Sequence, residues 1–190
     1  MRFLIVIPTL NEYQNIGTIY KKIVKLYKKA NILFIDDNSN DGSKEEILNL
    51  RKKNRKVNYI FRKKRLGIGS AHKLGIKIAK KNNYRYVCTM DCDGTHEPKS
   101  IKTMFKYIKK YNLILTTRFK YNNSLKGWLF IRIVITYMRY FLIRLVLGSK
   151  FDSSSGFRLF DLNKIKLKDI LLAKDNNYNF LWENTFILEL

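Results

Sequence analysis

Asp91 and Asp93 flank a single residue directly after the apolar run Tyr86 to Met90. In an extended chain, carboxylates spaced this way point to the same side and offer oxygen ligands to a hard divalent cation. A cation held there bridges a diphosphate and stabilises it as a leaving group, the chemistry of transfer from an activated donor. Alone the spacing is weak, since a solvated loop or a helix cap carries the same pair. Two further polar clusters follow apolar runs in the same way: Pro8-Thr9-Leu10-Asn11-Glu12 after Phe3 to Ile7, and Asp36-Asp37-Asn38-Ser39 after Ile32 to Ile35. Their carboxylates suit hydrogen bonds from a base or ribose, or service as turn and cap residues. Asp41 and Ser43 are expected to cap the next helix.

The elements that must position these residues alternate. Apolar runs at Phe3 to Ile7, Ile32 to Ile35, Val57 to Phe61, Tyr86 to Met90 and Leu113 to Thr117 read as strands. Helical stretches separate them, at about Glu12 to Lys29, Asp41 to Asn54, Gly67 to Lys81 and Pro98 to Tyr111. Strands this apolar, separated by helices, predict an α/β fold: βαβ units and a mainly parallel sheet covered on both faces. Ligands of such sheets bind beyond the carboxyl ends of the strands. That rule gathers the three polar clusters at one edge. After Thr117 the alternation stops, and the turn Asp152-Ser153-Ser154-Ser155-Gly156 opens a segment Phe157 to Phe160.

The chain of 190 residues is 46% hydrophobic with two prolines, which fits one compact domain, 1–190, and excludes a disordered or collagen-like chain. Two halves are expected within it, 1–117 and 118–190, divided where the alternation stops. Two cysteines, Cys88 and Cys92, are too few for a disulfide scaffold. The 38 basic residues against 15 acidic leave a net charge of +23, a field that attracts nucleic acid, anionic headgroups or phosphate-bearing substrates. Arg2 precedes only a short apolar run ended by Pro8, which is not a signal peptide.

Trp128 to Leu147 is the one stretch long enough to consider as membrane-spanning, and Arg132, Arg139 and Arg144 interrupt it. At roughly +3 kcal/mol per central Arg and about −0.5 per large aliphatic, these charges offset the apolar gain. An amphipathic interfacial helix over about 127–147 is expected instead. On it Arg132 and Thr136 are i, i+4 neighbours and Arg139 lies one heptad on, so the three share a polar stripe.

Six segments in order resemble the family 2 glycosyltransferases, and within them the dolichyl or polyprenyl phosphate mannose synthases. Pro8 to Glu12 resembles the PTYNE opening, Asp36 to Ser43 resembles DDGSPDGT, and Arg65 to Ala71 resembles KLGLGTA. Met90 to Pro98 resembles MDADLSHHP, Thr117-Arg118-Phe119 resembles TRY, and Ser155 to Leu159 resembles SGFRL. The resemblance implies a GT-A-like nucleotide-binding fold and metal-dependent transfer of a hexose, mannose from GDP-mannose, to a lipid-linked monophosphate with inversion. It implies that Pro8, Glu12, Ile35 and Asp37 surround the nucleoside. Asp91, Cys92 and Asp93 then meet the diphosphate and Mg2+ or Mn2+, with Thr95 completing the metal shell. For the acceptor phosphate it points to Arg118, Arg132 and Thr136, with Arg118 also reaching the donor. Further implied partners are an anionic membrane surface, on the cytoplasmic face, and a membrane-embedded protein.

Leu10 stands where the family has tyrosine, so a contact to the nucleoside is expected to be missing. Family domains also continue past the segment Tyr178 to Glu183, which resembles their aromatic and glutamate helix. This chain reads as truncated at Leu190, so incomplete closure over the donor and an unpaired sheet edge are expected. His72 and His96 read as packing residues. The rival enzyme readings are a polyprenyl phosphate glucosyltransferase or another family 2 enzyme of polysaccharide synthesis. An inactive truncated paralogue is a third, and a basic polyanion-binding protein a fourth. Against the last, carboxylates gathered on one sheet edge would repel a nucleic acid unless a metal intervened.

Overall fold

A computed structural model describes residues 3–117, 129–148 and 152–189. The elements run β1 (Phe3–Thr9), α1 (Tyr13–Leu26), β2 (Asn31–Asp36), α2 (Ser43–Lys53), β3 (Val57–Phe61), α3 (Ile68–Lys81), β4 (Tyr86–Thr89) and α4 (Ser100–Tyr107). They continue with β5 (Leu113–Leu115), α5 (Phe130–Leu147), β6 (Arg158–Asp161), α6 (Leu167–Leu171) and α7 (Asn179–Glu189). The strands form one six-stranded sheet in the order β3-β2-β1-β4-β6-β5.

Strands β1 to β4 pair in parallel, β1 lying between β2 and β4, so the sequence-predicted βαβ pattern holds. The segment Phe157 to Phe160 supplies what the pattern did not specify: β6 inserts antiparallel between β4 and β5. Strand β5 is thereby pushed to the edge, where among the described residues only β6 pairs with it.

Side-chain alternation along β1 divides the core. Phe3, Ile5 and Ile7 face one side, with Ile16, Ile19 and Ile23 of α1, Ile47 and Leu50 of α2, and Ile101 and Met104 of α4. Leu4 and Val6 face the other, with Ala71, Ile76 and Ala79 of α3, Ile170 of α6, and Phe180 and Leu181 of α7. Residues from both ends of the chain therefore complete the second layer.

Helix α5 differs from the others. Ile131, Val134, Ile135, Met138, Phe141, Leu142 and Leu145 recur at helical spacing and are all exposed. Among the described residues no helix is long and apolar enough to cross a membrane.

Helix α3 approaches the sheet at Gly75, where a Cβ would lie 2.3 Å from Val6 Cγ1. Gly75→Ala is expected to destabilise the fold by about 1–3 kcal/mol through overpacking, although alanine is the better helix former. Urea unfolding measures it, and an equal or raised midpoint would show that the helix can move off the strand.

Candidate active site

The parallel neighbours β2, β1 and β4 deliver their three polar clusters side by side at the carboxyl edge. Pro8 lies opposite Ile35 in the register of β1 and β2, and Thr9 opposite Asp36. Asn11 and Asn38 both adopt positive φ, at 56° and 68°, a conformation that asparagine tolerates. Each turns the chain sharply out of its strand.

The amino end of α1 has no local side-chain cap. Its orphan N–H groups are taken up by the neighbouring loop instead. Asn11 N–H donates to Ser39 Oγ at 2.8 Å, Glu12 N–H to Ser43 Oγ at 2.9 Å, and Tyr13 N–H to Asp41 Oδ2 at 3.0 Å. The expectation that Asp41 and Ser43 cap α2 holds for Asp41, whose Oδ1 accepts from the N–H of Ser43 at 3.0 Å, and is corrected for Ser43. Gly42, at φ 92°, holds the cap position of α2, Ser43 is its first residue, and the pair serves α1 as much as α2.

Asp36 and Asp37 are also spent within the chain. Asp36, fully buried, accepts from the N–H of Ser39 at 2.9 Å and from its hydroxyl. Asp37 accepts from Arg62 Nη1 at 3.0 Å, from the N–H of Leu66 at 2.9 and 3.0 Å, and from the N–H of Gly67 at 2.9 Å. Three donors thus share its two oxygens. Burial would raise its carboxyl, but the Leu66 N–H, then Arg62 and the Gly67 N–H, hold it below the ordinary 3.8. The carboxylate expected to meet a nucleoside thus ties the loop between β3 and α3 to β2. Ile35 is fully buried in the core, so it offers a nucleoside only its main chain.

The Asp91 and Asp93 pair lies beyond the end of β4 at Thr89, so a turn and not an extended strand orients it. Asp91 N–H donates to His96 Nδ1 at 2.9 Å, and His96 stacks on Phe157 with ring centres 5.0 Å apart. The N–H and hydroxyl of Thr95 both donate to Asp93 Oδ1, at 3.0 and 2.7 Å. Thr95 therefore orients Asp93. Gly156 closes the other side, since a Cβ there would stand 3.2 Å from Asp91 Oδ1. Thr89 Oγ1 locks that residue by donating to Gly156 O at 2.8 Å.

The cluster gathers negative charge. Burial, then the charges of Asp93, Asp91 and Asp41, raise the Glu12 carboxyl above 4.5, against a hydrogen bond from Asn15. Cys92 is buried between them, and burial above all pushes its thiol well up, so it packs and does not react. Burial, with Arg158 and His96 adding, pushes His72 down to about 3 and leaves it a neutral core residue. Burial, then the charges of Asp91, Asp93 and Glu12, raise the Tyr178 phenol above 10.0.

A hard cation fits this donor set. Two carboxylates provide oxygen ligands, and neighbouring negative charge already penalises ionisation of Glu12. Among the described residues no three His, Cys, Asp or Glu side chains could hold a metal by themselves. The remaining ligands must come from water or phosphate, as is usual for Mg2+ at nucleotide sites. On the acceptor side, Thr136 is buried on α5. Arg118 lies outside the described residues, as do the side chains of Arg132 and Arg139.

A mainly parallel sheet with helices on both faces and acidic loops at its carboxyl edge is the architecture of GT-A glycosyltransferases. The glucosyl-3-phosphoglycerate synthase of Mycobacterium tuberculosis, solved with Mn2+, UDP-glucose and phosphoglyceric acid, superposes with a TM-score of 0.65 at 16% identity. The match covers 99% of this chain and 64% of that one, so the chain spans less than two thirds of the solved structure. Residues 4–166 match the family described as glycosyl transferase family 2, and the chain belongs to that family. Among curated relatives, the dolichol-phosphate mannosyltransferase of Saccharomyces cerevisiae is 30% identical over 95% of this chain and 67% of its own length. The undecaprenyl-phosphate mannosyltransferase of Micrococcus luteus is 23% identical over 98% of this chain and 77% of its own.

Asp37→Ala leaves Arg62 buried without its carboxylate and is expected to cost about 3–5 kcal/mol at neutral pH. The Asp37 carboxyl is lowered in the fold, so its contribution is complete above pH 3.8 and fades as pH falls through the folded-state value. Unfolding curves of variant and wild type should therefore converge in acid. Equal stability at pH 7 would remove the structural role.

Proposed function

We propose that this chain transfers mannose from GDP-mannose to a dolichyl or polyprenyl phosphate, with inversion at the anomeric carbon. The observation that carries this reading is the convergence of Glu12, Asp91 and Asp93 on one sheet edge of a chain with net charge +23. In so basic a protein, a local concentration of carboxylate serves a cation. The named activities of relatives matched over nearly the whole chain support the same reading.

In this reading Pro8, Glu12, the main chain at Ile35 and the loop tied by Asp37 border the nucleoside. Asp91 and Asp93, the latter oriented by Thr95, hold Mg2+ or Mn2+ against the diphosphate. When bound, the cation neutralises charge that develops on the departing group. Arg118, Arg132 and Thr136 are assigned to the acceptor phosphate. A lone pair of that phosphate forms the new bond to the anomeric carbon. The bond from carbon to the diphosphate oxygen breaks, and its electron pair leaves with the diphosphate. No proton changes hands, because a phosphate monoester with a second pKa of about 6 is already ionised at neutral pH. Neutral, buried His72 is accordingly given no part in it.

The exposed apolar stripe of α5 supplies access to a lipid. Laid in the plane of an anionic leaflet, its Ile131, Ile135, Met138 and Phe141 enter the acyl boundary while basic residues meet headgroups. The cytoplasmic leaflet is the surface we assign.

Labelled GDP-mannose incubated with the full chain and vesicles carrying a polyprenyl phosphate should yield labelled lipid with Mg2+ or Mn2+ and none with chelator. Asp93→Ala should lower the rate at least about a hundredfold. Undiminished transfer in chelator would overturn the metal-dependent reading. Phe141→Glu should weaken partitioning onto anionic vesicles by about tenfold or more, from the lost burial of one large side chain. Cosedimentation reads it, and unchanged binding would clear α5 of a membrane role.

A further inference from the structure

The loop that carries Asp91 and Asp93 is closed by its own residues. Gly94, at φ 81°, reverses the chain, and among the described residues a Cβ there would meet nothing within 4 Å, so backbone conformation and not packing sets the turn. The two residues after it fold back onto the two carboxylate residues before it. Thr95 returns to Asp93, whose Oδ1 accepts from its N–H and its hydroxyl. His96 returns to Asp91, whose main-chain N–H donates to its Nδ1 at 2.9 Å. Asp91 Oδ2 stands 3.6 Å from the same nitrogen, beyond hydrogen-bond reach, so the ring holds Asp91 by its main chain and not by its carboxylate.

His96, expected from the sequence to be a packing residue, does pack: its ring, 8% exposed, stacks on buried Phe157. Phe157 follows Gly156, the residue that walls Asp91, so one segment leading into β6 borders both the ring and the carboxylate. The far end of the loop is held by α1 and the residue after it. Lys22 Nζ donates to Glu97 Oε1 and the Tyr27 hydroxyl to Pro98 O, each at 3.0 Å. Packing fixes where the ring sits, but it does not require a nitrogen. An apolar ring stacked in the same place would leave the Asp91 N–H without this acceptor.

We propose that His96 is a positioning residue for the cation: by accepting the Asp91 N–H, its Nδ1 fixes the Asp91 backbone so that this carboxylate and that of Asp93 reach one ion. The inference rests on the metal-dependent reading of the site. Two carboxylates from one turn share an ion only while the turn keeps its shape, and the groups that hold ligands in place govern affinity nearly as much as the ligands do. Thr95 and His96 thus perform the same service, one on a side chain and the other on a main chain.

The test measures Mn2+ binding to the full chain, alone and with GDP, by the paramagnetic resonance signal of the free ion, and records the melting temperature of each variant. His96→Phe keeps a ring on Phe157 and removes the acceptor, and is expected to lower Mn2+ affinity by about tenfold to a hundredfold. His96→Asn gives up the ring but can place an amide oxygen where Nδ1 stands, and is expected to recover most of that loss. A purely structural role would make affinity follow melting temperature across the variants, whereas here it follows the acceptor. Should His96→Phe not fold, His96→Ala takes its place, since it and His96→Asn both lack the ring and differ in the acceptor. Wild-type affinity in His96→Phe or in His96→Ala overturns the assignment, and so does a His96→Asn that binds no better than they do. If wild type binds no Mn2+ with or without GDP, the metal-dependent reading itself has failed and the inference falls with it.

Discussion

The guanidinium of Arg158 lies completely inside the protein, and its hydrogens go to the carbonyls of Ser153, Ser155 and Leu181 and to the side-chain oxygen of Asn184. Burial pulls it down to about 9, with Asp152 opposing, which leaves it charged at neutral pH. A buried cation costs several kcal/mol unless its donors are used, so these acceptors cannot drift apart. The consequence reaches both sides of the site. The 153–155 turn leads into Gly156, which walls Asp91. Leu181 and Asn184 belong to α7, whose first turn follows Tyr178. One side chain at the start of β6 thereby couples the turn beside Asp91 to α7.

The electrostatics of the molecule run in two scales. Over the whole surface the excess of basic residues is diffuse and screened within about 8–10 Å at ordinary salt. Within the site, Glu12, Asp91 and Asp93 act on one another and on Tyr178 across a partly desolvated space. Such a cluster is unfavourable in isolation, and the fold tolerates it because hydrogen bonds to Asp93 from Thr95 and to Glu12 from Asn15 stabilise the charged forms. A bound cation relieves the same repulsion. The site is therefore prepared for a positive charge.

Where sequence reasoning reached and where it stopped can be followed residue by residue. The strands and helices of the first half were legible because each β1 neighbour is apolar on both faces and each helix carries a periodic apolar stripe. The polar clusters were legible because they sit at strand ends. The partners of Asp36 and Asp37 were not. A carboxylate in such a turn serves a ligand or the chain itself equally well on paper, and only the tertiary structure brings the Arg62 guanidinium and the Leu66 N–H to Asp37. The Phe157 to Phe160 run was too short to reveal an antiparallel strand, since its pairing depends on β4 and β5, distant in the chain.

The sequence by itself determined the βαβ alternation, the placing of Glu12, Asp91 and Asp93 at one edge, and the amphipathic character of the helix over Phe130–Leu147. Local propensity and periodicity suffice for these, because each is set by neighbours a few residues away. Tertiary structure alone decided that Gly67 and Gly69 admit the close crossing of Asn176 and Asn177, and that Arg158 gathers a turn and a helix. The crossing at α3 joins segments 100 to 102 residues apart and Arg158 reaches α7 23 to 26 residues on, so close packing and not any local preference selects them.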